Sequence, residues 1–452
     1  MSNFLFDEFE KVTPAAWKQK IQVDLKGADY NDTLLWKTNE GIVVKPFYTK
    51  KDRKNYAITT SKKGFNICQT IFVDTEKVAN SLAINALNRG ANSIQFVANS
   101  SFNYKILLKS IDTKLTTLYF KLNFLDDEFQ TEIANFTNSK NTYFQTDIIG
   151  NLAENGNWFI NLKEDHKKLN SIIKSSENCI SVSADLYQNA GANCTQQLAY
   201  SLAHANEYLN YYGKEVAEKI HFTFSVGGNY FFEIAKLRAF RLLWKTLLRE
   251  YGLENTEAHI FVQSSLRNKT LYDYNVNMLR TTSESMSGIL GGANTLSTIS
   301  YDAIYHKSNE FGERIARNQL LIIQQESYLQ KAQNFADGTY YIESLTKQLA
   351  ENALAIFKQI EKSGGFLKQL KEGVIQRKIN DIALKEVTDF NTNKIKLLGT
   401  NFQANKNDLM TENLELYPFF KQRNRKTLIP PIIRKRLSES FEKERLESEK
   451  RN

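Results

Sequence analysis

His221-Phe222-Thr223-Phe224-Ser225-Val226-Gly227-Gly228, then a helical pattern over Phe231–Tyr251, then His259-Ile260-Phe261-Val262-Gln263, is the stretch that decides the fold. Its first and last pieces are short and rich in β-branched and aromatic residues, and a Gly-Gly turn divides the first from the helical run. Strand, helix, strand in that order is the unit of a parallel sheet, because parallel neighbours need a crossover of a dozen or more residues. The same character recurs outward from this stretch. Ser93–Val97, Thr117–Leu122, Tyr143–Ile148 and Cys179–Ala184 read as strands, Asn193–Tyr212 as a helix, and a seventh strand candidate lies within Gly288–Ile299. Several runs are apolar or aromatic on both parities, as a parallel strand covered on two faces requires. Such units, seven or eight of them from Ser93 to about Leu345, fill the roughly 250 residues of a (β/α)8 barrel. A doubly wound open sheet would carry GxGxxG after its first strand, and no such fingerprint is present.

The fold class is therefore α/β, a (β/α)8 TIM barrel with an extended N-terminal arm and C-terminal helices. Residues 1–65 hold turn signals, Pro14 and Pro46, and a short helix near Ala15–Leu25. Their apolar residues (Phe4, Leu5, Phe6, Phe9, Trp17, Leu25, Leu34, Leu35, Trp36) have too little regular structure around them to be buried internally, which predicts an interface. Residues 66–400 form the barrel with its closing helices. Within them Leu345, Leu349, Ala353, Ile356 and Ile360 recur at helical spacing, with Ser344 as N-cap and Gly364-Gly365 as the stop. Residues 401–452 read as a linker and charged helical tail, and Arg434–Asn452 as a solvated helix or frayed end.

Composition narrows the function classes. The chain has 452 residues, 42% hydrophobic and 24% charged, an ordinary globular balance. Its net charge of +9 is dispersed among 50 acidic residues, which speaks against a nucleic-acid-binding scaffold. Cys68, Cys179 and Cys194 are odd in number and widely spaced, with no CxxC pair, so neither a disulfide framework nor zinc is indicated. The opening MSNFLFDEFEKV is acidic where a signal peptide is basic, and no run reaches the roughly 18 apolar residues of a membrane span. A reduced, cytoplasmic protein is expected, with no membrane or nucleic-acid partner. His166, His204, His221, His259 and His306 lie too far apart for a local metal motif. Glu233 and Lys236 read as a surface ion pair rather than an acid/base couple. Gly291-Gly292 reads as a tight strand-end turn rather than a phosphate loop. Composition and spacing stop there.

Longer segments go further. Trp36-Lys37-Thr38-Asn39-Glu40-Gly41-Ile42-Val43-Val44-Lys45-Pro46-Phe47-Tyr48-Thr49 resembles the W-x-T-x-E-G-I-x-V-K-P-x-Y-T arm of the methylmalonyl-CoA mutase family. Glu313–Asn318 with Gln324–Ser327 is similar to the family's late barrel helix, and Ala336–Thr346 to its D-x-x-x-G-S-Y-Y-V-E-x-L-T element. Arg280–Met286 followed by Gly291-Gly292 looks most like the small subunits. The resemblance spans the chain nearly end to end, and it implies that residues 1–65 are a partner-wrapping arm. It implies a barrel whose catalytic relatives bind acyl-CoA along the barrel axis and hold adenosylcobalamin on a separate flavodoxin-like domain, where the cofactor supplies the radical chemistry.

Departures from the family's pattern matter as much. The cobalamin domain's D-x-H-x-x-G motif is absent, and no histidine follows His306. Arg436–Arg445 resembles the lead-in to that domain. In the frame where catalytic chains read I-S-I-S-G-Y-H-M-Q-E-A-G-A, residues 180–192 place Asp185 and Leu186 at the Tyr-His pair, and leucine cannot donate a hydrogen bond. Phe144-Gln145-Thr146-Asp147 keeps Gln145 as a vestigial substrate-facing residue, and Gln188 is a second. The expected arginine falls at Asn155 or Gly156, and the radical-steering tyrosine at Thr70. The resemblance thus implies a small, non-catalytic subunit with no catalytic or metal residues and no cofactor of its own. Its partner would be a large catalytic subunit that binds acyl-CoA and adenosylcobalamin. A rival reading is an acyl-CoA mutase barrel served by a separate cobalamin-binding polypeptide.

Overall fold

The computed structural model describes residues 6, 8–54, 56–61, 64–254, 256–331, 333–421 and 425–451. Phe4 and Leu5 of the arm lie outside them.

The arm divides into two parts. Thr13 caps the helix Pro14–Asp24 by accepting from the Ala16 N–H at 3.1 Å, and none of that helix is buried. Phe6, Phe9, Trp17 and Trp36 are all exposed. Further along, the two-residue strands β1 (Trp36–Lys37) and β2 (Val43–Val44) pair antiparallel around Gly41. There Ile42 and Ile58 are buried, and Asn193 and Asn352 donate to the Asn39 and Glu40 carbonyls at 2.7 and 3.1 Å. Residues from about 36 onward thus dock on the chain's own barrel.

Eight parallel strands follow: β3 (Asn66–Phe72), β4 (Ser93–Ala98), β5 (Thr117–Leu122), β6 (Thr142–Phe144), β7 (Ile180–Ser183), β8 (Ile220–Val226), β9 (His259–Ser264) and β10 (Thr295–Ser297). They run β6-β5-β4-β3-β10-β9-β8-β7, with β3 and β10 paired. Two backbone bonds bridge the seam, Phe144 N–H to Asn178 O at 2.8 Å and Ser181 N–H to Thr146 O at 2.9 Å. The (β/α)8 barrel is thereby closed. Its outer layer includes Cys194–Tyr212, held at its start by a capping box between Asn193 and Gln196, and Tyr230–Glu250. No helix among the described residues is long and apolar enough to cross a membrane.

Several expectations change. The first barrel strand is Asn66–Phe72, which alternation did not reveal because Asn66, Cys68 and Thr70 face inward with little hydrophobic signal. The Gly288–Ile299 candidate splits into the end of helix Val276–Leu290 and the three-residue β10. Gly291-Gly292 is accordingly the helix-to-strand turn. Gly292 has φ 89°, and a Cβ there would lie 2.6 Å from Thr60 Cγ2, so glycine is required. The helix after the barrel starts at Tyr340 behind Thr339, one turn before Ser344. Glu233 and Lys236 are buried rather than on the surface: Lys236 also donates to Gln197 Oε1 at 2.8 Å and Ser225 O at 2.7 Å. Residues 434–449 are not a solvated tail. Arg436, Ser438, Glu439 and Glu442 are buried, and Glu442 accepts from the Leu271 N–H at 2.9 Å and the Ser438 hydroxyl at 2.8 Å.

Candidate functional site

Side chains that bond across the barrel must point inward, and they define what fills it. Toward the N-terminal end, Tyr119 OH on β5 lies 2.7 Å from His259 Nε2 on β9 and 2.8 Å from Thr295 Oγ1 on β10. Tyr143 stacks on Tyr119 with centroids 4.9 Å apart and on His259 at 4.2 Å. Phe261 packs against Tyr119 at 4.6 Å, and His221 edges onto Tyr143 at 5.4 Å. Burial pushes the His221 imidazole down to about 4 and holds His259 well below its ordinary value, with His221 and Arg241 adding to the shift at His259. The axis at this level is therefore a packed, uncharged aromatic plug.

Above the plug lies a ring of amides and hydroxyls. Gln95 Nε2 donates to Gln145 Oε1 at 2.5 Å, and Gln145 Nε2 to Thr223 Oγ1 at 3.2 Å. Gln95 Oε1 in turn accepts from Thr70 at 2.7 Å and from Gln263 at 3.2 Å. Gln145 and Thr70 are thus brought together across the axis, but each is committed to a neighbour.

At the C-terminal mouth, Asp147 is buried and its carboxylate accepts four bonds: Gly150 N–H (2.7 Å), Ser183 N–H (2.9 Å), Tyr208 OH (2.7 Å) and His204 Nε2 (3.0 Å). Burial alone would raise this carboxyl, but His204, Tyr208 and the Gly150 N–H hold it below its ordinary range. Asp185 and Leu186 lie on the short helix Ala184–Asn189 and point apart. Leu186 is sealed in the main core. Asp185 accepts from Arg434 NH1 at 2.8 Å, and the same guanidinium bonds Glu154 through Nε at 2.6 Å. Burial pulls Arg434 down, yet the carboxylates of Asp185 and Glu154 raise it overall, and Glu154, only partly desolvated, is correspondingly lowered by the Arg434 charge. Gln188 sits apart from Gln145 and accepts from the Ser265 hydroxyl at 2.9 Å.

Arg434 belongs to a strap that crosses the mouth. Leu428 N–H donates to Gly156 O (2.9 Å), Ile432 N–H to Ala153 O (2.7 Å), Lys435 N–H to Asn189 O (3.0 Å) and Leu437 N–H to Arg267 O (2.7 Å). Asn155 and Gly156, where an arginine was expected, are docking points for this strap. Gly156 has φ 74°, and a Cβ would come within 2.6 Å of Ile429 O. Strap and barrel flank an open cavity of about 1280 Å³ above β4–β7, lined among others by Lys121, Gln145, Asp147, Glu154, Arg425 and Arg434. Sequence reading missed Arg434, Glu154 and the Tyr119 plug. An unpaired acid at residue 185 was the one hint of a cationic partner, and nothing local to Arg434 named it as that partner.

Comparison with known proteins agrees with this architecture. The family described as methylmalonyl-CoA mutase matches residues 130–447. The chain belongs to the methylmalonyl-CoA mutase family. It is 30% identical, over 99% of its length and 78% of the relative's, to the methylmalonyl-CoA mutase small subunit of Porphyromonas gingivalis. It is 27% identical to the methylmalonyl-CoA mutase of Cereibacter sphaeroides, over 85% of this chain and 64% of that one. The large subunit of P. gingivalis is 32% identical over 50% of this chain and 33% of its own. The chain thus spans most of the small subunit but only a third to two thirds of these other relatives.

Adenosylcobalamin is implied by the family. At the mouth the strap is bonded across the barrel end at four backbone points, with Arg434 held between Glu154 and Asp185. Among the described residues, no group of three or more His, Cys, Asp or Glu could hold a metal ion.

Proposed function

We propose that this chain is the small, non-catalytic subunit of a heterodimeric, adenosylcobalamin-dependent methylmalonyl-CoA mutase of the cytoplasm. Its large partner would bind acyl-CoA and cofactor and interconvert (R)-methylmalonyl-CoA and succinyl-CoA. The filled axis supports this best. A CoA thioester threading a family barrel needs a passage along the axis, and here Tyr119, Phe261, Tyr143 and His259 occupy it. The mouth points the same way: Leu186 offers no hydrogen bond to a thioester oxygen, and Asp185 is spent on Arg434. With no substrate passage and no polarising group, this subunit's contribution is stability and assembly of the active chain.

Titration calorimetry of the isolated chain with succinyl-CoA tests the reading, with no heat expected up to about 1 mM, a concentration at which even millimolar binding registers. The variant Asp185→Tyr/Leu186→His should show no mutase turnover without a partner chain. Stoichiometric acyl-CoA or cobalamin binding by the isolated chain, or turnover by that variant, would sink the proposal.

A further inference from the structure

The cavity under the strap lies at the end of the barrel where (β/α)8 proteins place ligands, and it has room for a small organic molecule. Its charged groups differ in how far they are already engaged. Both carboxylates that line it are taken: Asp147 by four donors, Glu154 by Arg434, whose charge is shared with Asp185. Three lining cations have no carboxylate partner among the described residues. Lys421 lies over the Tyr417 ring at 4.7 Å. Arg425 donates to the neutral oxygens of Asn155 at 2.7 and 3.1 Å.

Lys121 is the most informative of the three. It follows Tyr119 by two residues on β5, so it has the same inward parity and is carried to the cavity floor, half-buried. It makes no hydrogen bond or ion pair with any described residue, and its field reaches Glu154 only at longer range. An inward lysine that has lost part of its hydration without gaining a counter-ion is stabilised by an anion that brings its own oxygens.

We propose that this cavity binds a compact organic polyanion, entering from the strap side and held between Lys121 on the floor and Lys421 and Arg425 on the roof. Two or more carboxylate or phosphate groups suit this arrangement, since each accepts charge-assisted hydrogen bonds from ammonium and guanidinium. Compactness rests on the plugged axis of the preceding section, which leaves no channel for a long pantetheine arm.

The test is calorimetry on the full chain with succinate, pyrophosphate and ADP, and with acetate as a monoanion. At least one polyanion should bind one-to-one, with acetate weaker by about tenfold or more. Lys121→Gln should weaken binding by about tenfold or more, about 1.4 kcal/mol, while Lys121→Arg stays within about threefold of the original. Succinate binding without pyrophosphate or ADP would identify a carboxylate site, and the reverse a phosphate site. Circular dichroism confirms that the variants fold, and Lys421→Gln/Arg425→Gln gives a second route to the same loss. Absence of binding by all three polyanions at about 10 mM, or affinities unmoved in both variants, overturns the site. Succinyl-CoA binding that survives Lys121→Gln would instead overturn the plugged axis and leave the polyanion site standing.

Discussion

Replacing Arg434 by alanine should release the strap. Arg434 is the one described group that donates to the Asp185 carboxylate, whose side chain is 4% exposed, so the change strands a buried charge. Removing one partner of a buried pair costs about 3–5 kcal/mol. Arg434 itself is 23% exposed, so water enters when it goes, and its Glu154 arm is 41% exposed and adds only about 0–1 kcal/mol. A net of about 2–3 kcal/mol follows, below the range of a fully buried pair because water reaches the site. Asp185→Ala alone leaves Arg434 on Glu154 and should cost about 1 kcal/mol. The double variant should then be milder than the sum, with a coupling energy of about 2 kcal/mol. Because the loss is local, the assay is amide hydrogen exchange at Ile432, Lys435 and Leu437, whose N–H groups bond the barrel. Exchange there should speed up by roughly 30- to 150-fold in Arg434→Ala, with the strands unaffected. Exchange within about threefold of the original, or a coupling near zero, would refute the clamp.

Three further outcomes are expected. Because the folded carboxyl of Asp147 titrates below its ordinary value of 3.8, the unfolded chain takes up the proton first; the stabilisation is present above that value and fades as pH falls through the lower, folded one, so the urea midpoint should drop in acid and Asp147→Asn should flatten that dependence. Tyr119→Ala should cost about 3–5 kcal/mol by emptying the axis, and Tyr119→Phe about 1–2 kcal/mol by stranding His259 and Thr295; equal urea midpoints for the two would show that the plug is not packed. Deleting residues 1–28 should leave native circular dichroism but weaken co-elution with the large subunit, whereas deleting 1–60 should also destabilise the barrel, because Ile42 and Ile58 leave the core; co-elution unchanged in the shorter deletion would remove the arm from the interface.

What the sequence determined by itself is whatever is encoded by local periodicity or by contiguous motif. His221–Val226, His259–Gln263 and the helices between the strands carry their own patterns, because a strand covered on both faces and an amphipathic helix each write their burial into neighbouring residues. Asp185 and Leu186 stood out for the same reason, since they sit inside a frame that otherwise resembles the family's. The strand Asn66–Phe72 was hidden because its inward face is polar, satisfied by partners on other strands. Only the tertiary structure decided that the axis is plugged, since Tyr119, Tyr143, His259 and Phe261 come from three strands and meet only when the barrel closes. It also turned an apparent charged tail into a strap: Arg434 lies 249 residues from Asp185 in the chain. An ion pair at that separation leaves no local trace, because burial of the carboxylate and the approach of its partner are both consequences of the fold.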